Sequence, residues 1–369
     1  MSEARTERLI LGIESSCDET AAAIVRGGRT VLSDVVSTQH ELHERYKGVV
    51  PEIASRAHVE RILPVLREAL GQAKVALDEV DAIAVGHRPG LIGSLLVGTS
   101  AAKALAWSMS KPFIAVDHVV AHLFAGLLES APCRYPALGL VVSGGHTSLF
   151  LVRDPLTLEL LGKTIDDAIG EAFDKAATML GLGYPGGPLV DQLAQRGNDA
   201  AVAFPTAWLG RDAEGEKRLD VSFSGLKTAL LYAVRGVPER KPKGTPRSAP
   251  PVYARSASDL SDVERADLAA SFQRTAVHGV MKVVERALDR HPVPTLLVGG
   301  GASANSRLRR ELTELAARRS LDLRLPAMRW CVDNAAMIAG FAHHRLAAGL
   351  VDSLDIAPQP LSVFASPSQ

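Results

Sequence analysis

Leu9-Ile10-Leu11-Gly12-Ile13 runs into the polar turn Glu14-Ser15-Ser16-Cys17-Asp18-Glu19-Thr20 and leaves through Ala21-Ala22-Ala23-Ile24-Val25. An apolar run, a short polar turn and a second apolar run read as two paired strands. The pattern returns at Leu138-Gly139-Leu140-Val141-Val142, turns through Ser143-Gly144-Gly145-His146-Thr147 and leaves by Leu149-Phe150-Leu151-Val152. A repeated supersecondary unit predicts a duplicated fold. Glycines and hydroxyls in such turns leave backbone N–H groups able to point at an anion, so two turns facing a cleft would grip a phosphate or carbamoyl-phosphate group. The chain reads as a nucleotide-handling enzyme.

Outward from the first unit, strands alternate with helices, which predicts an α/β architecture. Ile62, Val65, Leu66, Ala69 and Leu70 share one face of a helix that starts near Pro51, and Pro64 is expected to kink or divide it. Asp81 to Gly86 and Phe113 to Val116 read as buried strands, with a small-residue helix from Gly93 to Ser110 between them. Asp117 is placed to cap a helix carrying Val119, Val120, Leu123 and Phe124. Later, Thr295 to Val298 ends in Gly299-Gly300-Gly301 before a helix from about Ser306 to Arg319; strand, glycine loop and helix form a nucleotide-binding layout.

Length and composition exclude several classes. At 369 residues the chain suits two lobes. Its 41 basic and 41 acidic residues cancel, which argues against a freestanding nucleic-acid binder. Cys17, Cys133 and Cys331 are far apart and carry no CxxC spacing, so no disulfide framework is expected, and with no signal peptide or spanning helix visible the expected location is cytoplasmic. A stretch rich in Pro, Ser, Arg and Lys, within 236–260, is expected to be a flexible insertion.

His118 and His122, four apart on one helical face, can share a metal ion, although a pair of structural histidines has the same spacing. Glu does not follow His118, so the metalloprotease pattern is absent. Asp333 is placed as a third ligand or merely as a helix cap; two histidines and a carboxylate would suit iron(II) or zinc. Asp174 sits among apolar neighbours where a carboxylate needs a partner such as a ribose hydroxyl, and Asn305 has donors and acceptors for an adenine edge or a ribose. The triple glycine could equally serve packing.

Taken in order, Gly12 to Thr20, Val49 to Arg56, His118-x-x-x-His122, Ser143 to Thr147, Phe173-Asp174-Lys175, Gly183 to Pro188, Ser222 to Lys227 and Asp333-Asn334 resemble the bacterial TsaD family, the tRNA N6-adenosine threonylcarbamoyltransferases. The resemblance spans about Ile10 to Leu350. It implies a duplicated actin/Hsp70-like two-lobe α/β fold with an active-site cleft between the lobes, divided here as 8–117 with 345–362, and 118–344. It implies transfer of an L-threonylcarbamoyl group from threonylcarbamoyl-AMP to N6 of adenosine 37 in tRNAs reading ANN codons. Carried onto this sequence, one divalent metal, iron(II) or alternatively zinc, would be held by His118, His122 and Asp333. The adenylate would be held by Val141, Val142, Ser143, Gly144, Gly145, Asp174, Gly187, Asp191 and Asn305. A TsaB-like inactive paralogue and a TsaE-like ATPase would be partners.

The chain departs from the family pattern at Arg88-Pro89-Gly90, usually Gly-Pro-Gly, and at Val332, usually Thr. A sugar-kinase-like ATPase of the same fold class and a non-catalytic scaffold are the competing readings; the metal triad favours the transferase.

Overall fold

The computed structural model describes residues 7–46, 48–211, 215–238, 251–362 and 364. Its core is two five-stranded sheets of one topology. In the first, β1 (Leu9–Glu14) pairs antiparallel with β2 (Glu19–Arg26), β2 with β3 (Thr30–Thr38), and β1 parallel with β4 (Ala82–Arg88), which is followed by β5 (Phe113–Asp117), giving β3-β2-β1-β4-β5. The second repeats it: β6 (Ala137–Val142), β7 (Thr147–Asp154) and β8 (Thr157–Lys163) are antiparallel, while β9 (Thr295–Gly299) and β10 (Asp322–Arg324) extend β6 in parallel. The expected duplication of an α/β unit is therefore present, one polar turn to each sheet. β1 and β6 lie between partners on both sides and are covered on both faces, hence their uninterrupted apolar sequences.

Helices cover the sheets. After the one-turn α1 (His40–His43), α2 (Pro51–Ala73) packs on β2 and β3 and beside α3 (Ile92–Ser108). Pro64 does not divide α2: it lies on the exposed face, where the Glu60 carbonyl it frees from hydrogen bonding can meet water. On the second sheet lie α5 (Ile169–Met179), α6 (Gly186–Ala194), α7 (Ser224–Arg235), α8 (Asp262–Arg290) and α9 (Ser306–Arg319). Between the sheets, α4 (His118–Ala125) and α10 (Ala335–Ala347) pack against each other; Phe124, Phe341, Ile10, Val141 and Phe150 share this apolar layer. Of the insertion, 239–250 lie outside the described residues; the chain rejoins the lobe where the Arg255 N–H donates to the Arg235 carbonyl at 3.3 Å and Leu260 is buried.

Two glycines bring the site elements together. A Cβ on Gly12 would stand 2.3 Å from the Ala335 carbonyl oxygen, so glycine lets the start of α10 lie directly on β1. A Cβ on Gly299 would stand 1.9 Å from the His122 carbonyl oxygen, so glycine lets β9 touch α4. Both obstacles are backbone and cannot rotate away. Gly299→Ala is expected to cost about 3 kcal/mol of stability, the upper end of the overpacking range, seen as a lower melting temperature; an unchanged melt would refute the close approach.

Candidate functional site

β1 ends at Glu14, which is fully buried. One carboxylate oxygen accepts the Ser16 N–H at 2.6 Å and the other lies 3.0 Å from His118 Nδ1. Gly86 makes the room, because a Cβ there would stand 2.5 Å from Glu14 Oε2. The same turn is braced from α2 by His58, whose ring nitrogens lie 2.7 Å from Thr20 Oγ1 and 3.0 Å from the Cys17 carbonyl oxygen.

His118 opens α4 and His122 follows one turn later. Asp117 caps the helix as expected, accepting from the Val119 and Val120 N–H groups at 3.0 and 3.3 Å. Arg88, where the resembling family usually has glycine, pairs its Nε with the second Asp117 oxygen at 3.1 Å and so ties β4 to this cap. Asp333 is not the cap of α10: Asn334 is, accepting the Met337 N–H at 2.9 Å. That leaves the Asp333 carboxylate turned to the histidines, with Oδ1 3.5 Å from His118 Nε2 and 3.3 Å from His122 Nε2. Val332 is half exposed and its side chain takes no part in this cluster.

The donor set fits a divalent ion. One ligand atom from each of His118, His122 and Asp333 lies within 4.8 Å of the others. His118 Nδ1 is committed to Glu14, which leaves Nε2 to face Asp333. Neither ring nitrogen of the fully buried His122 has a hydrogen-bond partner among the described residues, although Nε2 is close to Asp333, and an imidazole so placed lacks a partner that a metal would supply.

The charges in the cluster act on one another across short distances. Burial works against a charge on His118, but Glu14 and then Asp333 outweigh it and push its pKa up to about 10. Burial and the neighbouring His118 hold His122 below its ordinary value. Burial raises Asp333, yet His118 and His122 together hold it well below the usual carboxylate range. His146, in the second turn, is drawn down to about 4 by burial and by the two histidines, so it faces the cluster as a neutral ring.

Beside this lies a second acid–imidazole group, Asp18, Glu19 and His40, with His40 Nε2 3.3 Å from Glu19 Oε1 and 3.8 Å from Asp18 Oδ2. Burial pushes Glu19 up to about 8. Burial first, then Asp18 and Asp333, push the Cys17 thiol well up, which disfavours the nucleophilic thiolate.

The second turn is exposed only at its tip. Val141 and Val142 are buried within β6, and the Ser143 N–H is used on the His146 carbonyl at 2.7 Å. Gly144 and Gly145 are exposed, and a Cβ on either, or on Gly187, would meet nothing within 4 Å. Asp174 finds its partner inside the protein: Oδ1 accepts the Gly186 N–H at 2.8 Å at the start of α6, although burial still holds its pKa up. Asn305 caps α9, accepting the Leu308 N–H at 3.0 Å, and Asp191 accepts from the Ser306 N–H at 3.0 Å and Ser306 Oγ at 2.7 Å. Lys175 and Lys227 both pair with Asp167. Gly300, at φ +94°, would place a Cβ 2.4 Å from the Val142 carbonyl oxygen, so the glycine loop serves packing as well. Glu14 and His146 stand in the two polar turns, yet the sequence does not single them out, or His58, as site residues; an acid closing an otherwise apolar strand is the available signal for Glu14.

The sequence profile described as TsaD, tRNA N6-adenosine threonylcarbamoyltransferase, matches residues 30–340. A protein of that description from Symbiobacterium thermophilum is 47% identical over 355 residues, covering 96% of each chain. Another from Trichlorobacter lovleyi is 48% identical over 346 residues, covering 94% of each. Among solved structures, HypF from T. kodakarensis aligns over 93% of this chain and 48% of its own with a TM-score of 0.56 at 15% identity, a likeness of fold.

Proposed function

Because the chain belongs to the TsaD family, tRNA N6-adenosine threonylcarbamoyltransferase, we propose that it transfers the L-threonylcarbamoyl group of threonylcarbamoyl-AMP to N6 of adenosine 37 in tRNAs reading ANN codons. The observation that carries this reading is the convergence of His118, His122 and Asp333 from two distant segments, within electrostatic reach of His146 in the second polar turn. A Mg²⁺-dependent kinase of this fold class would hold its ion through carboxylates and phosphates and would not need paired histidines.

In this reaction the N6–carbamoyl bond forms and an N6–H proton is released to solvent as the carbamoyl–phosphate oxygen bond breaks and AMP leaves. The leaving group is already activated, so orientation and charge stabilisation are the main demands. His118 through Nε2, His122 and the Asp333 carboxylate would hold one divalent ion, iron(II) or zinc. Such an ion supplies Lewis-acid polarisation at the transferred carbonyl or the departing phosphate. Gly144 and Gly145 would direct backbone N–H groups at the adenylate, on a turn fixed by Ser143 and by Val141 and Val142 in β6. Asp174, Gly187, Asp191 and Asn305 would hold its nucleoside part. No covalent enzyme intermediate is needed, in keeping with the suppressed thiolate of Cys17.

We take the partners to be a TsaB-like inactive paralogue and a TsaE-like ATPase. Val59 and Leu63 on α2 and Ile92 and Leu96 on α3 are each close to half exposed or more, which supports an apolar docking face for a related subunit. No helix among the described residues is long and apolar enough to cross a membrane.

The test is nucleoside mass spectrometry on unmodified ANN-reading tRNA incubated with threonylcarbamoyl-AMP, this protein and both partners. Threonylcarbamoyladenosine is expected with the native chain and not with the His118→Ala, His122→Ala double variant. Its absence with the native chain, intermediate bound and partners active, would overturn the assignment.

A further inference from the structure

We propose that Gln273 is a positioning residue that decides which hydrogen-bonding atom Asn305 presents to the ligand. This rests on the adenylate reading of the pocket given above. Gln273 lies on α8 between Phe272 and the buried Ala276 and Val277, and is 3% exposed. A primary amide at such a place is costly unless bonded.

Its bonds converge on two residues assigned to the adenylate. Nε2 donates to Asp191 Oδ1 at 2.6 Å and to Asn305 Oδ1 at 3.3 Å. Both Asp191 oxygens act as acceptors, for the Ser306 N–H and for Ser306 Oγ, so the Gln273 atom facing Asp191 is the NH₂ group, and the amide orientation of Gln273 follows. Asn305 Oδ1 is then claimed twice, by Gln273 and by the Leu308 N–H that it caps. Its Nδ2 therefore points the other way, as a donor. The site should select a ligand group that accepts there, such as a purine ring nitrogen or a ribose oxygen, and disfavour one that donates.

Packing alone would not choose glutamine. Gln273 Oε1 is buried and has no hydrogen-bond partner among the described residues, a penalty that leucine or methionine would avoid. The two bonds made by Nε2 also link three helices, because Asp191 is on α6, Gln273 on α8 and Asn305 at the head of α9. One amide thus sets the relative position of two ligand-facing side chains.

The experiment is calorimetric titration of AMP into the native chain and into Q273M and Q273E, with melting temperatures and transfer kinetics for each. Q273M keeps the length and removes both amide atoms; Q273E turns the donor into an acceptor facing two acceptors. AMP affinity is expected to fall about tenfold in Q273M and more in Q273E, the size of one hydrogen bond from Asn305 to the ligand. Q273M should melt no lower than the native chain, and its loss should lie in KM, with kcat at saturation kept within about threefold. A Q273M chain that binds AMP as the native chain does overturns the inference. So does a loss of affinity that merely follows a lowered melting temperature. A native chain that binds no AMP overturns the adenylate reading itself and this inference with it.

Discussion

Asp333→Asn is expected to yield a folded chain that retains almost no metal and forms threonylcarbamoyladenosine more than about 100-fold more slowly, a larger loss than removing a residue behind a ligand brings. The substitution keeps the side chain's shape and removes its charge. In the native chain Asp333 faces both His118 Nε2 and His122 Nε2 at 3.5 and 3.3 Å, and its carboxylate is held ionised by those rings. An amide oxygen in that place is a weaker ligand for a divalent cation, and the amide nitrogen turned the other way would confront the histidines with a donor. Glu14 would then be left as the acidic neighbour in contact with the imidazoles, and it is committed to Nδ1 of His118, on the far side of the ring from the cluster. Asn334 keeps its cap on α10, so folding should survive. Elemental analysis of the purified variant beside the native chain checks the metal, and nucleoside mass spectrometry checks the product. Native metal content in Asp333→Asn would remove this carboxylate from the ligand set.

The duplication was legible because it is local: each polar turn follows an apolar strand within a few residues, and the pattern of two survives without any knowledge of neighbours. The spacing of His118 and His122 was legible for the same reason. Asp333 was only half legible, since an acid before a helix reads as a cap, and only the structure hands that role to Asn334. Asp174 was read as a carboxylate in need of a ligand; its first partner is the Gly186 N–H twelve residues on, a contact made by a turn whose path periodicity does not reveal. That Pro64 leaves α2 undivided was not legible, because the rule about proline inside helices says nothing of which face it occupies. Glu14 meeting His118 and Gln273 meeting Asp191 are contacts across 104 and 82 residues, created by packing between elements, and no local pattern carries them. Glycine, conversely, was underread: Gly12, Gly86 and Gly299 matter for what would collide with a side chain there.

The second large effect is expected at Glu14. Glu14→Gln should lower metal affinity about 10- to 100-fold and carry activity down with it, as loss of a carboxylate behind a ligating histidine does. The reason is the tautomer of His118. Glu14 takes the Ser16 N–H on one oxygen and fixes a proton on His118 Nδ1 with the other, so Nε2 is the nitrogen His118 would turn to a metal, giving up its own proton as the ion binds. Glutamine must aim its NH₂ at one of those two donors. Aimed at Ser16, it sets N–H against N–H in a fully buried pocket; aimed at His118, it favours the tautomer whose proton sits on Nε2, the atom a metal would need. Either arrangement works against the site, and the tight space beside Gly86 leaves little freedom to escape both. Gly86→Ala should weaken metal binding in the same direction, because its Cβ would meet Glu14 Oε2 at 2.5 Å. Competition with a chelator of known affinity measures the metal independently of turnover, and a melting curve separates lost affinity from lost fold. A Glu14→Gln chain that competes with the chelator as well as the native chain would show that the carboxylate serves only to anchor the turn through Ser16.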